Sequence, residues 1–405
     1  MKKILIVNNN MHLGGVQRAL VSLLWSIGGR YDVTLLLFYP VGDSMKDLPP
    51  NVRVICPRSP YRCFGITKND ACGAWDRLCR SFYAAVTRLL GRKVAVALMS
   101  PWQRKLKGFD VAVSYLHDAG ERVFYGGCND FVLRHVEAER KITFLHCDYR
   151  RCGANTEENR KKYAKFDAIA ACSGGCADSF AAALPELREK VRVVKNCHRF
   201  DRIRELAAQD TPCTAAQAAK AVGASPETAQ KSPVVRIVTV ARLGKEKGVD
   251  RALRAVARLG EARRSLQYEI IGDGIQRPLL EKIIRDEGLS DCVRLLGAMD
   301  NPYAHIRAAA LLLIPSNNEA APLVIGEAAC LGTPVLSTET SSAREMIEQT
   351  GYGWVCENTE EGLTEALTAL LADPSKLYRK KAELLSSNMT NDEAVAQFEA
   401  IIERR

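Results

Sequence analysis

Eleven short apolar runs, most of them separated by segments of helix length, constrain this chain more tightly than any single motif. In order they are "KKILIVN", "YDVTLLLF", "DVAVSYL", "KITFLH", "FDAIAAC" and "KVRVVKN", then "VVRIVTVA", "YEIIGDG", "VRLLG", "ALLLIPS" and "TPVLST". Strand-sized apolar runs alternating with helices predict βαβ units and therefore parallel sheets. A polar, Ala-rich stretch near residues 207 to 233 interrupts the alternation and reads as a loop or linker excursion. At 405 residues the chain is too long for one ordinary core, so two α/β domains with a cleft between them are expected. The boundaries expected are 1–200 and 234–385 for the domains and 201–233 for the linker. Residues 386–405 form a terminal helix that crosses back onto the first domain, with Val395, Phe398, Ile401 and Ile402 on one face.

Composition excludes several classes. The chain is 47% hydrophobic and 26% charged, which suits a globular protein and not a disordered or fibrous one. No run approaches the roughly 18 apolar residues of a membrane span. The start, "MKKILIVNNN", is basic, but its apolar run is too short for a signal-peptide core, which predicts a cytoplasmic protein. Fourteen cysteines in such a chain are then expected to stay reduced. Their spacings, Cys172 with Cys176 and Cys147 with Cys152, are not those of a zinc site, so no metal is expected.

The net charge of +10 is unevenly placed. Residues 58–108 carry eleven Lys or Arg against Asp70 and Asp76. Trp75, Leu78, Phe82, Leu89, Leu90 and Trp102 are interleaved with them, as in a helix lying on an anionic membrane surface. A helix pair packed on a sheet with a solvated basic face accounts for the same pattern. Nucleic acid is not expected, because no recognised binding motif accompanies the charge.

Ligands of parallel sheets bind at the carboxyl ends of the strands, so the following loops hold the candidate chemistry. Gly14 and Gly15 open the helix after the first strand, where backbone can approach an anion. In "ARLGKEKGVDRAL", Arg242 and Lys247 are a planar fork and a point charge suited to phosphate, though two basic loop residues are also commonly just solvated. Gly272 lies in a Gly-rich turn, "IGDG". In "SNNEAAPLVIGEAACLGTPV", Glu319 precedes a helix whose first turn suits Pro322, and Glu327 lies about one turn inside. Carboxylates there suit the helix dipole, and equally the hydroxyls of a polyol. His117 and His146 follow strands in the first half, with Asp148 two residues on.

The order of these motifs resembles the retaining glycosyltransferases of family 4 (glycosyl transferases group 1), which have the GT-B fold of two Rossmann-like parallel-sheet domains facing across a cleft. The resemblance covers nearly the whole chain, through "GGVQRAL", "FLHCDY", "ACSGGCADSF", "VVKNCHRFD", "VARLGKEKGVDRAL", "YEIIGDG", "VRLLGAMDNPYAHIRAA" and the E-x7-E element "EAAPLVIGEA". It implies that residues 1–200 bind the acceptor and 234–385 a nucleotide-sugar donor, UDP- or GDP-linked. Arg242 and Lys247 would hold the donor diphosphate, Glu327 the ribose and Glu319 the hydroxyls of the transferred sugar. Ala298 and Met299 would face the base. Gly14 and Gly15 would approach the diphosphate, and Gly272, Ala320, Ala321, Pro322, Leu323 and Val324 would complete the donor pocket. His117 would stand near the donor sugar, and His146 and Asp148 near the acceptor. Glu319, His117, Arg242 and Lys247 are the catalytic candidates.

The activity implied is a hexosyltransferase-type transfer to a glycan or lipid-linked acceptor with retention of configuration, in capsule, exopolysaccharide or lipopolysaccharide assembly. It would proceed in the cytoplasm or on the inner membrane face. Cleaving the anomeric bond builds negative charge on the diphosphate, which Arg242, Lys247 and helix amino termini can meet without a metal or other cofactor. The chain has no Asp-x-Asp pair, in keeping with that. Departures from the family are Ala320 and Ala321 in place of Gly and an aromatic or aliphatic residue, Cys197 to Phe200 between Asn196 and Asp201, and Ala310 where Asp is frequent. They bear on donor identity more than on reaction class. A GT-B epimerase and a noncatalytic nucleotide-sugar-binding protein are the alternatives.

Overall fold

The computed structural model describes residues 1–57, 60–67, 70–209 and 234–403. The chain divides into two compact units, Met1–His198 with Asn391–Arg405, and Arg199–Thr390.

The first unit is built on a seven-stranded sheet of β1 (Lys3–Asn8), β2 (Asp32–Leu37), β3 (Arg53–Ile55), β4 (Leu106–Ser114), β5 (Val136–Leu145), β6 (Ala168–Ala171) and β7 (Val191–Val193). Their order is β3-β2-β1-β4-β5-β6-β7, and every neighbouring pair is parallel. Because side chains alternate across a strand, Ile4 and Ile6 face one layer and Leu5 and Val7 the other. Ile4 and Ile6 pack with Leu20 and Leu24 of the helix Gly15–Ile27, and with Val395, Phe398 and Ile402 of the helix Asp392–Glu403. Leu5 and Val7 pack with Phe38, Phe131 and Val96. Residues far apart in sequence therefore close one core, since the last helix supplies a layer to the sheet that opens the chain.

The second unit carries six parallel strands, β8 (Val235–Val240), β9 (Leu266–Ile271), β10 (Val293–Gly297), β11 (Leu311–Ile314), β12 (Val335–Thr338) and β13 (Gly353–Cys356). Their order is β10-β9-β8-β11-β12-β13. Both sheets run outward from their first strand in one direction and then restart beside it. Each therefore has a topological switch point, between β1 and β4 in the first and between β8 and β11 in the second, where loops diverge and leave a crevice.

Three sequence expectations need correction. Residues 201–209 are not linker: Phe200–Gln209 is a helix that buries Ile203 and Ala207, four apart on one face, against the second sheet. The remainder of that expectation, 210–233, lies outside the described residues. Strands β3 and β13 carry no signal in the apolar runs because they are edge strands of three and four residues, largely half-buried. Arg92 does not contribute to the basic surface. It is fully buried, with its Nη1 3.3 Å from Asp118 Oδ1 and its Nε 3.8 Å from Asp130 Oδ2.

Candidate functional site

The second switch point brings the two most informative loops together. Lys247 follows β8 and Glu319 follows β11, and their side chains meet with Nζ 2.6 Å from Oε1. Ser316 Oγ donates to the same oxygen at 2.9 Å. Both partners are mostly enclosed, Glu319 to 12% exposure and Lys247 to 23%, so this is no solvated surface pair.

Backbone contacts stitch the two loops into one unit. Asn317 N donates to Glu246 O at 2.8 Å, and Asn317 Nδ2 to Lys245 O at 2.8 Å. Arg251 Nη2 donates to Pro315 O at 2.7 Å and its Nη1 to Asn358 Oδ1 at 2.9 Å. Gly248 makes this approach possible. Its φ of +60° lies in the left-handed region, and a Cβ there would overlap the Pro315 carbonyl oxygen. Gly272 has the same role at the end of the neighbouring strand. Its φ is +141°, a Cβ would run into Ala241 O, and its N–H donates to Gly297 O at 2.8 Å. The glycine-rich turn after β9 is thus required for close packing of loops.

Helix Leu323–Cys330 starts just after Pro322, which is its extended N-cap and not, as the sequence suggested, part of its first turn. Neither Glu lies in the first turn. Glu319 precedes the cap, and Glu327 is the fifth helical residue, buried, with Tyr303 OH donating to its Oε1 at 3.3 Å. A dipole-capping role does not explain a carboxylate a full turn inside a helix, since that field acts within the first turn. Ala320, Ala321, Pro322, Leu323 and Val324 are all half-buried between the two carboxylates. Ala298 and Met299 follow β10, beside the β9 turn that holds Gly272. Among the described residues, Arg242 pairs with Glu246 and does not join the Lys247–Glu319 pair. It is 78% exposed, and its Nη2 meets Glu246 Oε1 at 2.9 Å. The sequence missed Ser316, Asn317, Gly248, Arg251 and Tyr303. The only signal was the adjacency of Ser316 and Asn317 to Glu319.

In the first unit the switch point lies between the loop after β1, with Gly14 and Gly15, and the loop after β4, with His117. Nothing in the fold itself demands glycine at 15, where a Cβ would meet no atom within 4 Å. Gly14 is extended, with φ 179°, a conformation open to any residue. His117 and His146 end neighbouring strands. The His146 ring stacks on Phe144, with centroids 5.7 Å apart, and lies 4.8 Å from the Tyr115 ring. Burial holds the His117 imidazole down to about 4, partly offset by Asp118. Burial and then His117 hold His146 down to about 3. Both rings are therefore neutral at pH 7. Among the described residues, His117 Nδ1 and His146 Nε2 have no hydrogen-bond partner. Asp148, by contrast, is engaged: Ser179 Oγ donates to its Oδ1, as does Arg150 N at 3.2 Å.

Beneath His117 a buried network fixes the strand ends. Asp118 and Asp130 face Arg92 and Lys162, with Lys162 Nζ 2.7 Å from Asp130 Oδ2. Asn129 Nδ2 donates to Asp118 at 2.9 Å, and Arg92 Nη2 to Asn159 Oδ1 at 2.7 Å. Two cations face these two buried carboxylates, with the half-buried Glu158 3.6 Å from Lys162 Nζ at the margin, and pairing of this kind is the condition for keeping charge inside a protein.

Residues 225–389 match the family model Glycosyl transferases group 1. That stretch includes the loops of Arg242, Lys247, Glu319 and Glu327. Among curated proteins, the chain is 34% identical over 145 residues to an amylovoran biosynthesis glycosyltransferase of Erwinia amylovora, covering 34% of this chain and 35% of the relative. It is 33% identical over 151 residues to an alpha-D-kanosaminyltransferase of Streptomyces kanamyceticus, covering 36% and 39% respectively. The matches thus span little more than a third of these relatives' length. Among solved structures, Anabaena HepE in complex with UDP-glucose aligns over 100% of this chain and 99% of that one, with a TM-score of 0.62 and 17% identity. At that identity the likeness shows the fold, which is GT-B with two parallel-sheet α/β domains.

Proposed function

We propose that this protein transfers a sugar from a nucleotide-sugar donor to a glycan or lipid-linked acceptor with retention of configuration, in the assembly of a surface polysaccharide. The observation that carries the reading is the meeting of Lys247 and Glu319 at the switch point of the second sheet, with Glu327 one helical turn further on. A cation and two carboxylates in that arrangement match the chemistry of the donor, which presents a diphosphate and two sets of hydroxyls. Support comes from the family model, which matches residues 225–389, and from the amylovoran biosynthesis glycosyltransferase and the alpha-D-kanosaminyltransferase named above.

In this reading Lys247 and Glu319 neutralise each other until a diphosphate shares the ammonium, which frees Glu319 to accept from sugar hydroxyls. Arg242, whose side chain makes an exposed pair with Glu246, turns inward onto the phosphates at small cost. As the anomeric bond breaks, its electron pair goes to the leaving phosphate, and fixed cations stabilise the growing charge. The simplest stereochemical course is front-face attack by the acceptor hydroxyl, its proton passing to that phosphate. In the same reading Gly14 and Gly15 approach the diphosphate, His117 stands near the donor sugar, and His146 and Asp148 serve the acceptor. The two neutral imidazoles act as hydrogen-bond partners for hydroxyls and not as cations. Gly272, Ala298, Met299 and residues 320–324 shape the donor pocket, and no metal is required.

The test is thermal stabilisation by UDP- and GDP-sugars and bare nucleotides, with and without EDTA, in the wild type and in Glu327→Ala. A shift from one nucleotide class, lost in the variant and indifferent to EDTA, supports the reading. No shift from any nucleotide sugar overturns it.

A further inference from the structure

Of the seventeen large hydrophobic side chains exposed among the described residues, eight fall between Trp75 and Trp102. Trp75, Leu78, Phe82 and Leu89 are 74%, 62%, 55% and 75% exposed. They stand at i, i+3, i+7 and i+14 of the helix Ala74–Leu90 and so share one face. That is the inverse of an ordinary surface helix, whose apolar stripe turns to the core. Here the core side is supplied instead by Tyr83 and Thr87, with Cys79 and Val86 packed against it. The following helix, Arg92–Met99, buries Ala95, Val96 and Met99 and leaves Lys93, Val94 and Leu98 outward, and Trp102 beyond it is 69% exposed. A contiguous apolar surface of this kind marks a contact site.

Its charge decides the occupant. Arg77 and Arg88 flank the stripe on the long helix, and Lys93 and Arg104 follow, all exposed. Lys105 and Lys107, exposed as well, share one carboxylate, Glu137, at 3.5 and 3.1 Å, which leaves the patch a net positive charge. Asp76 is drawn off by Arg62, 3.5 Å away. A protein partner with an apolar face does not need a surrounding field of one sign, whereas an anionic bilayer meets both features at once. None of the described helices is long and apolar enough to cross a membrane.

We propose that the helices Ala74–Leu90 and Arg92–Met99 lie in the plane of an anionic lipid surface, with Trp75, Leu78, Phe82, Leu89 and Trp102 below the headgroups and the basic residues among them. This goes beyond the donor chemistry and does not depend on it.

The experiment is flotation of the full chain with phosphatidylcholine vesicles, with and without phosphatidylglycerol, for the wild type, for Trp75→Ser with Phe82→Ser, and for Arg77→Ser with Arg88→Ser. The wild type is expected to float with phosphatidylglycerol vesicles and to show a blue-shifted tryptophan emission. The apolar double variant should lose at least roughly tenfold in partitioning to them. The arginine double variant should lose mainly the phosphatidylglycerol-dependent component, as should the wild type in added salt. Because these side chains are exposed, the thermal midpoint and any nucleotide-sugar shift should be unchanged in both variants, so failure here is separable from failure of the donor reading. Wild-type protein that does not float overturns the proposal, and so does an apolar variant that floats like the wild type. Sedimentation equilibrium showing a dimer abolished by Trp75→Ser with Phe82→Ser would overturn it in favour of a second copy.

Discussion

At Glu319 one oxygen takes both the Lys247 ammonium and the Ser316 hydroxyl, so the loops after β8 and β11 share a single electrostatic joint. Lys247→Ala should cut kcat by roughly a hundred- to a thousandfold, the loss typical of one preorganised donor aimed at developing charge. Steady-state kinetics with the donor found by thermal shift reads this, and an unchanged kcat would remove Lys247 from the chemistry. Gly248 is a residue of the other sort, needed for its lack of a side chain. Gly248→Ala should lower stability by more than about 1 kcal/mol and weaken donor binding together, because its strained φ and the clash with Pro315 O both push the Lys247 loop away from Glu319. Urea unfolding and donor titration check it. Arg92 shows how burial changes the meaning of a letter. Counted with its neighbours it is surface charge, but in the fold it faces Asp118 and Asp130 in the interior. Arg92→Met leaves one cation for two buried carboxylates and should cost about 3–5 kcal/mol, measured by denaturant unfolding.

Among the elements, the helix Asp392–Glu403 matters most for its position. Its apolar face was legible from the spacing of Val395, Phe398, Ile401 and Ile402, and the structure sets that face against Ile4, Ile6 and Phe144. Phe398→Ala should destabilise the first unit by about 3–5 kcal/mol, a loss visible in unfolding of that unit. The helix Phe200–Gln209 was hidden because its first turns are polar and only Ile203 and Ala207 are buried. Strands β3 and β13 were hidden because an edge strand of three or four residues owes its pairing to the neighbour that templates it, not to its own hydrophobicity.

For the molecule as a whole, burial holds His117 and His198 down to about 4 and His146 to about 3, while in an unfolded chain each would titrate near 6.5. Between those values the unfolded chain binds protons that the folded chain refuses, so stability falls as pH drops from about 6.5 to about 4 and is retained above that window. Thermal midpoints across this range should fall steadily, and His117→Asn should flatten the slope. The sequence alone determined the periodicities: parallel α/β sheets, a second half rich in loop chemistry, and Glu319 and Glu327 about one helix start. These are local facts, written in spacing and turn residues. The tertiary structure alone decided which loops meet. Strand order places β8 beside β11, and so Lys247 on Glu319, because sheet neighbours are chosen by long-range packing that no window of sequence contains. It also decided which charges are inside, because a charge enters the core only where another element brings its counterion.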